Sequence, residues 1–158
     1  MADGSTSFQS YFFAYMGVVS GLVFANLGAS YGTAKSGVGI ASLGVIDSSK
    51  VVKALIPIIM AGILGIYGLI VAVLLNLQIS KSNGQALKVQ AGYQYLGAGL
   101  CCGLSSLAAG LAIGVAGDAG VRAYAQTDGI FVGMIILLIF AEAIGLYGMI
   151  ISIILMYS

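Results

Sequence analysis

The chain has 158 residues, of which 60% are hydrophobic and 7% charged, and its formal net charge is +1. Soluble domains carry roughly 25% charged residues, so this composition excludes an ordinary soluble domain. The six Lys and Arg residues are scattered along the chain, which excludes a basic patch for nucleic acid. With no histidine and only two cysteines, which are adjacent, we expect neither a metal site nor a cofactor.

Four long apolar segments follow one another, and each exceeds the roughly 20 residues that a helix needs to cross a bilayer. In chain order they cover residues 8–45, closed by a polar break at 46–50, then 51–77, 92–125 and 129–158. Apolar and polar residues do not alternate within these segments, which favours helices over the strands of a β-barrel. The sequence therefore predicts an all-α membrane protein with four transmembrane helices. Pro57 is expected to kink the second helix, and the long first and third helices are expected to project beyond the bilayer.

Glu142 is the one acidic residue of the fourth segment and lies near its middle. A charged carboxylate at the centre of a bilayer costs roughly 2.5–3.5 kcal/mol on insertion scales, which favours the protonated form in lipid. A group that is neutral in lipid and charged where it meets water or a cation can carry a proton. We therefore predict Glu142 as a proton-carrying residue. The alternative is a structural carboxyl group paired with another helix, although no Lys, Arg or His lies at comparable depth in the other segments.

The two halves of the chain resemble copies of one helical hairpin. An offset of 80 in residue number superposes the second segment on the fourth and places Gly62 opposite Glu142. An offset of 82 superposes Tyr11, Gly17, Gly21, Gly28 and Gly32 of the first segment on Tyr93, Gly99, Gly103, Gly110 and Gly114 of the third. Chance matching in a Gly-rich chain is the alternative, but it does not easily give two ordered blocks. We predict a single membrane domain over 1–158, built from hairpin repeats at 1–80 and 81–158.

Small residues recur at four-residue spacing in the first and third segments, whereas the second and fourth are rich in Ile, Leu and Met. Rows of small residues let helix backbones approach closely in a membrane. A narrow helix joined to a wide one makes a wedge, and wedges can assemble into a multi-copy ring with cyclic symmetry. The alternative is that the rows pack only the four helices of one chain. The predicted ring-packing residues are Gly17, Gly21, Gly28, Gly32, Gly99, Gly103, Gly110 and Gly114.

Two tyrosines lie near Glu142 in this arrangement. Tyr147 is five residues further along the same helix, about 140° around it, and is a poor hydrogen-bond partner. Tyr67, its counterpart on the second helix, leans toward the N-terminus of that helix and is predicted as the partner of Glu142. A tyrosine packed only through its ring is the alternative.

The other charged residues lie near the predicted helix ends. Asp118 and Arg122 are four apart, which suits a solvated ion pair on a helix. Lys and Arg are more numerous near the loops after the first and third helices, so the positive-inside rule predicts that these loops are cytoplasmic and both termini lumenal or external. The residues on that side are Lys35, Lys50, Lys53 and Arg122, and those on the other are Lys81 and Lys88.

Three stretches carry a resemblance to a known family. They are GASYGTAKSGVGI at 28–40, GVAGDAGVRA at 114–123 and IFAEAIGLYG at 139–148. Together with the duplicated hairpin, they closely resemble the proteolipid c subunit of the vacuolar-type proton-pumping ATPase over nearly the whole chain. The resemblance implies that copies of the chain form a membrane rotor ring in which Glu142 carries the proton. With Gly62 in the first hairpin, it also implies one carrier per chain.

The resemblance further implies a rotary mechanism and its partners. Glu142 gains a proton from a half-channel at a stator a subunit, passes through lipid in the neutral form, and releases the proton beside a stator arginine and a second half-channel. ATP hydrolysis in a separate soluble sector drives the rotation, so the chain itself is expected to be non-catalytic. The implied partners are other c-type proteolipids, the stator a subunit, a central-stalk cap subunit and the bilayer of a vacuolar, lysosomal, endosomal or plasma membrane.

The carried ion is expected to be H+. Sodium-carrying relatives are similar but have Thr-Gln where this chain has Ile63 and Leu64. Two other functions remain as alternatives. A small proton-coupled antiporter needs an accessible polar or aromatic pocket, and this chain has no Trp. A structural tetraspan or channel protein would tolerate replacement of Glu142 by Gln.

Overall fold

A computed structural model describes the backbone of residues 2–82 and 87–157 and the side chains of residues 8–82 and 87–157. Within these ranges the chain is helical apart from short connections. The helices are α1 (Ala2–Ile46), α2 (Val51–Ala54), α3 (Ile56–Lys81), α4 (Val89–Gln126) and α5 (Ile130–Tyr157), and a 3-10 turn at Ser48–Lys50 precedes α2. In the described part of the chain, four helical stretches are long and apolar enough to cross a membrane, so the predicted all-α membrane protein with four transmembrane helices is confirmed.

The polar break after the first segment forms the turn between α1 and α2. The carboxylate of Asp47 accepts hydrogen bonds from the hydroxyl of Ser49 at 2.7 Å and from its backbone N–H at 3.0 Å. These hydrogen bonds lower the pKa of Asp47, the hydroxyl contributing most. The charged carboxylate also pairs with Lys50, whose Nζ lies 3.7 Å away.

Pro57 stands in the first turn of α3 rather than inside a continuous helix. The predicted kink is a break: α2 ends at Ala54, and α3 begins at Ile56 after the single residue Leu55. Proline is tolerated in a first turn because the first N–H groups of a helix have no intrahelical acceptor. The second apolar segment is therefore two helices, of which only α3 is long.

The helices differ in length as expected. α1 has 45 residues and α4 has 38, against 26 for α3 and 28 for α5. At 1.5 Å per residue α4 is about 57 Å long, whereas the hydrocarbon core of a bilayer is about 30 Å thick. α1 and α4 are therefore longer than a bilayer core, as predicted, and have room for charged residues at their ends.

Each hairpin pairs one long narrow helix with one bulkier helix. α3 packs along α1, α5 packs along α4, and the two hairpins meet mainly through α1 and α4. α3 also contacts α4 and α5, so it lies on the side of the first hairpin that faces the second hairpin. Leu64, Ala109, Ile113 and Leu138 are fully buried in the largest apolar cluster, which draws on all four long helices.

The two hairpins repeat at one constant offset in residue number along both of their helices. Gly65 faces Asn26 and Ala29 in the first hairpin, and Gly145 faces Ser106 and Ala109 in the second. Equivalent contacts join Gly68 to Gly21 and Ala25, and Gly148 to Cys101 and Ser105. Each of these pairs of equivalent positions differs by 80, as in 145 − 65, so the predicted offset of 82 between the first and third segments is wrong as a repeat register.

The glycines that match at an offset of 82 do so for a different reason. They face one another across the contact between α1 and α4: a Cβ at Gly28 would lie 2.5 Å from the carbonyl oxygen of Ser106, and a Cβ at Gly110 would overlap the backbone of Gly28. Where two helices touch this closely, the residues of both helices at the contact must be small, so the glycines of α1 and α4 recur with the same spacing. All eight predicted ring-packing glycines contact the other helix of this pair inside one chain, and their packing between copies stays a prediction.

Candidate functional site

Glu142 lies near the middle of α5, half-buried where α5 meets α3. The hydroxyl of Tyr67 on α3 donates a hydrogen bond to Oε1 of Glu142 over 3.2 Å. A phenol hydroxyl can donate to either oxygen of a carboxylate and to the carbonyl oxygen of a protonated carboxyl group. This contact is therefore compatible with both protonation states of Glu142.

Glycines on α5 bring the helices around Glu142 close together. A Cβ at Gly145 would lie 2.6 Å from Cδ2 of the fully buried Leu64, and one at Gly148 would overlap the hydroxyl of Ser105 on α4. Further along α5, the hydroxyl of Ser152 donates to the carbonyl oxygen of Ala98 over 2.7 Å. These contacts fix α5 against α3 and α4 and thereby position Glu142.

The two positions that distinguish sodium-carrying relatives carry no polar side chain in this chain. Ile63 is half-buried and Leu64 is fully buried, so the two positions where oxygen-bearing side chains would serve a cation are hydrocarbon. Among the described residues, no three His, Cys, Asp or Glu side chains lie together, and both cysteines have free thiols. The carboxyl group of Glu142 and the phenol of Tyr67 form a pair that is suited to binding and releasing a proton.

Gly62 occupies the position of the first hairpin that corresponds to Glu142. It is exposed, and apart from its own turn of helix no atom of the described residues lies within 4 Å of the place where its Cβ would stand. Tyr147, which corresponds to Tyr67, is 62% exposed. Within the described ranges, the side-chain hydrogen bond to Glu142 comes from Tyr67 and not from Tyr147.

The charged residues at the end of α1 and α4 form a cluster between helices. Asp118 accepts from Nε of Arg122 at 2.7 Å and lies 3.2 Å from Nζ of Lys35 on α1. Its side chain is only 13% exposed, so the predicted solvated pair on one helix is instead a three-residue link across the α1–α4 contact. Close approach of the two helices at their glycines brings Lys35 within reach. Lys50 similarly pairs with Asp128 at 2.7 Å.

Asn26 is a polar residue beside Gly62 and Gly65 in the first hairpin, and it was not among the predicted site residues. Its Nδ2 donates to the carbonyl oxygen of Leu22 over 3.0 Å, and its Oδ1 lies 2.9 Å from the position of a Cβ at Gly65. It lines a cavity of about 290 Å³ beside Gly62. An amide inside an apolar membrane segment is the signal that could have identified it.

Comparison with known proteins shows the family of this chain. The family model described as the C subunit of ATP synthase matches twice, at residues 16–75 and 96–155, and the two matches begin at the same offset of 80 (96 − 16) that the helix contacts have. The chain is 54% identical over 144 residues to the 16 kDa proteolipid c subunit of the V-type proton ATPase of Ascaris suum, covering 91% of this chain and 89% of that relative. The corresponding 16 kDa proteolipid of the V-type proton ATPase of Homo sapiens is also 54% identical over 144 residues, covering 91% and 90% of the two chains.

Both comparisons extend over most of the chain and agree with its two hairpins. The predicted resemblance is confirmed, and so is the prediction that the chain is a membrane subunit without catalytic activity of its own. The chain belongs to the family of V-type proton ATPase proteolipid c subunits.

Proposed function

We propose that the chain is a rotor-ring subunit of a proton-pumping rotary ATPase and that Glu142 is its proton carrier. The observation that carries this proposal is the place of Glu142, half-buried near the middle of an apolar helix with the Tyr67 hydroxyl as its hydrogen-bond donor. A charged carboxylate at that depth is destabilised in lipid, whereas a protonated carboxyl group is not. The group therefore holds its proton in lipid and releases it where water or a cation is present.

The cycle has three steps at this residue. Glu142 takes a proton through an aqueous path at the stator and becomes neutral. Rotation then carries the neutral group through lipid, with Tyr67 holding the carboxyl group against α3. At a second aqueous path a stator arginine favours the carboxylate, and the proton leaves on the other side. The partners of the chain in this cycle are further c-type copies, the stator a subunit and a central-stalk cap subunit.

H+ is the ion that suits this site best. A dehydrated Na+ needs several oxygen ligands, whereas Ile63 and Leu64 provide none and Leu64 is packed against Gly145. ATP-driven acidification is therefore expected to run at the same rate in sodium-free and sodium-containing buffer. A requirement for sodium, or inhibition of H+ uptake by it, would contradict this choice of ion.

The central test replaces Glu142→Gln, which keeps the shape of the side chain and removes its titration. Membrane vesicles with the variant are expected to contain assembled complexes and to show no ATP-driven acidification. Asp128→Asn is the matched control because that carboxylate is exposed at the end of the helices, and its vesicles are expected to acidify. Acidification by assembled Glu142→Gln complexes would refute the carrier role and favour the structural alternative.

A further inference from the structure

One face of α5 is exposed although the equivalent face of α3 is buried. Ile144, Tyr147 and Ile151 have exposed fractions of 45%, 62% and 49%. Their equivalents in the first hairpin cover the second one: Leu64 and Val71 are fully buried, and Tyr67 is half-buried against Glu142. The same row of side chains is therefore present twice, and within the described residues the set on α3 is covered by the other hairpin whereas the set on α5 is exposed.

The first hairpin has an open pocket on the surface that is equivalent to the one α3 covers in the second hairpin. A cavity of about 290 Å³, here called the Gly62 pocket, is lined by Leu22, Asn26, Gly62, Gly65, Ile66 and Leu69. The equivalent residues of the second hairpin are Cys102, Ser106, Glu142, Gly145, Leu146 and Met149. In the second hairpin this surface is covered by α3: Leu64 meets Gly145, and Tyr67 reaches Glu142 and packs on the cluster that contains Cys102 and Met149.

The long helices α1 and α4 show the same relation. α4 turns Leu96, Gly99 and Leu107 toward α1. The equivalent residues of α1 are Met16, Val19 and Leu27, and their exposed fractions are 45%, 53% and 51%. The open face of α1 is thus the face that the repeat uses for contact between hairpins. α5 packs on α4 and α3, so Tyr147 does not fill the Gly62 pocket of its own chain.

We propose that Tyr147 of one copy fills the Gly62 pocket of the next copy and donates a hydrogen bond to Oδ1 of Asn26 there. The proposal rests on the ring described under the proposed function. Nδ2 of Asn26 already donates to the Leu22 carbonyl oxygen, which leaves Oδ1 as the acceptor. The contact repeats, from copy to copy, the step that relates the two hairpins inside the chain.

This contact gives the ring two alternating kinds of junction. Inside each chain, Tyr67 donates to the carboxyl group of Glu142. Between chains, Tyr147 donates to the amide of Asn26 beside Gly62, where no carboxyl group stands. The interface is head-to-tail, with different surfaces on the two partners, and such a contact closes when its rotation fits a ring.

The first experiment is disulfide cross-linking of assembled complexes in membranes, in a full-length chain with Cys101→Ala and Cys102→Ala. Ile144→Cys combined with Gly65→Cys is expected to give a ladder of covalent multimers on oxidation, because these positions repeat the Leu64–Gly145 contact between copies. Leu64→Cys combined with Gly145→Cys is the matched control. It is expected to cross-link within one chain and to give no ladder. The interface would be overturned if Ile144→Cys with Gly65→Cys stayed monomeric under the oxidation conditions in which Leu64→Cys with Gly145→Cys forms its cross-link.

The second experiment is a double-mutant cycle on the hydrogen bond. Tyr147→Phe and Asn26→Ala are each expected to speed dissociation of the ring in detergent by about two- to tenfold, the loss expected for one hydrogen bond. The double variant is expected to dissociate no faster than either single variant. Multiplied effects would overturn the hydrogen bond. Cross-linking does not require pumping, so a ladder together with acidification by Glu142→Gln complexes would refute the proposed carrier and leave the interface standing.

Discussion

Tyr67 and Glu142 are far apart in the sequence, and the hydroxyl of the first lies 3.2 Å from Oε1 of the second. This contact joins the two hairpins close to the one carboxyl group of α5. A phenol at this place can hold the carboxyl group in one position without neutralising it, whereas a lysine or an arginine would neutralise it. The hydroxyl of Tyr67 therefore orients the carboxyl group without adding a charge beside it, as the proposed carrier role of Glu142 requires.

Tyr67→Phe removes the hydroxyl and keeps the ring that packs on the second hairpin. One hydrogen bond contributes about 0.5–1.5 kcal/mol, so ATP-driven acidification is expected to fall about two- to tenfold while the amount of assembled complex stays the same. The measurement is the initial rate of acidification per assembled complex. Tyr157→Phe, at the exposed end of α5, is the control and is expected to leave the rate unchanged. An unaltered rate in Tyr67→Phe would mean that the hydrogen bond does not contribute to proton transfer.

Gly110 and Gly28 bring α4 and α1 so close that a methyl group at Gly110 would overlap backbone atoms of α1. Backbone cannot move aside as a flexible side chain can, so Gly110→Ala must separate the helices. Overpacking of this kind costs about 1–3 kcal/mol, and we expect less assembled complex and a lower dissociation temperature in detergent.

Gly133→Ala is the control for this variant. Gly133 lies on α5 and is exposed, and among the described residues no atom outside its own turn of helix lies within 4 Å of the place of its Cβ. Alanine favours a helix over glycine by about 1 kcal/mol, so this variant is expected to assemble as well as the unmodified chain. Equal assembly of Gly110→Ala and Gly133→Ala would show that the α1–α4 contact can widen without cost.

The helices and the carboxyl group could be predicted from the sequence because each depends on local chemistry. The number and length of the apolar segments predict the number of spans. An acidic residue in the middle of a span can be recognised because a charge there is unfavourable in lipid. Tyr67 could be paired with Glu142 because side chains lean toward the N-terminus of their helix, which sets the height that a tyrosine reaches. Its role in proton transfer stays a proposal.

The repeat register of α1 and α4 could not be predicted in this way. The glycines of these two helices match one another at an offset of 82 because they are in contact. The repeat offset of 80 is seen from the residues that Gly65 contacts on α1 and that Gly145 contacts on α4. Sequence similarity does not distinguish residues that are equivalent from residues that touch. The link between Lys35 and Asp118 could not be predicted either, because their 3.2 Å ion pair depends on how closely two helices approach.

Asp118 is expected to stabilise the contact between α1 and α4 at the charged end of the helices. Asp118→Asn removes the partner of both Lys35 and Arg122. Both cations are about half exposed, so the expected loss is only about 1 kcal/mol, seen as a lower dissociation temperature of the complex in detergent. Asp47→Asn is the control, because Asp47 bonds within its own turn and does not join α1 to α4. A loss as large in Asp47→Asn would mean that the effect is one of net charge.

The orientation in the membrane can be tested with single cysteines at the two ends of the helices. Ser48 is exposed in the turn beside Lys50 and Lys53, on the side with more Lys and Arg, and Gln9 is exposed near the other end of α1. In intact vesicles whose cytoplasmic face is outward, a membrane-impermeant maleimide is expected to label Ser48→Cys at once and Gln9→Cys only after permeabilisation. The native cysteines lie within α4, half-buried and buried, and the unmodified chain measures their background labelling. Labelling of Gln9→Cys alone would invert the orientation, and the termini would then be cytoplasmic despite the excess of Lys and Arg at the opposite end.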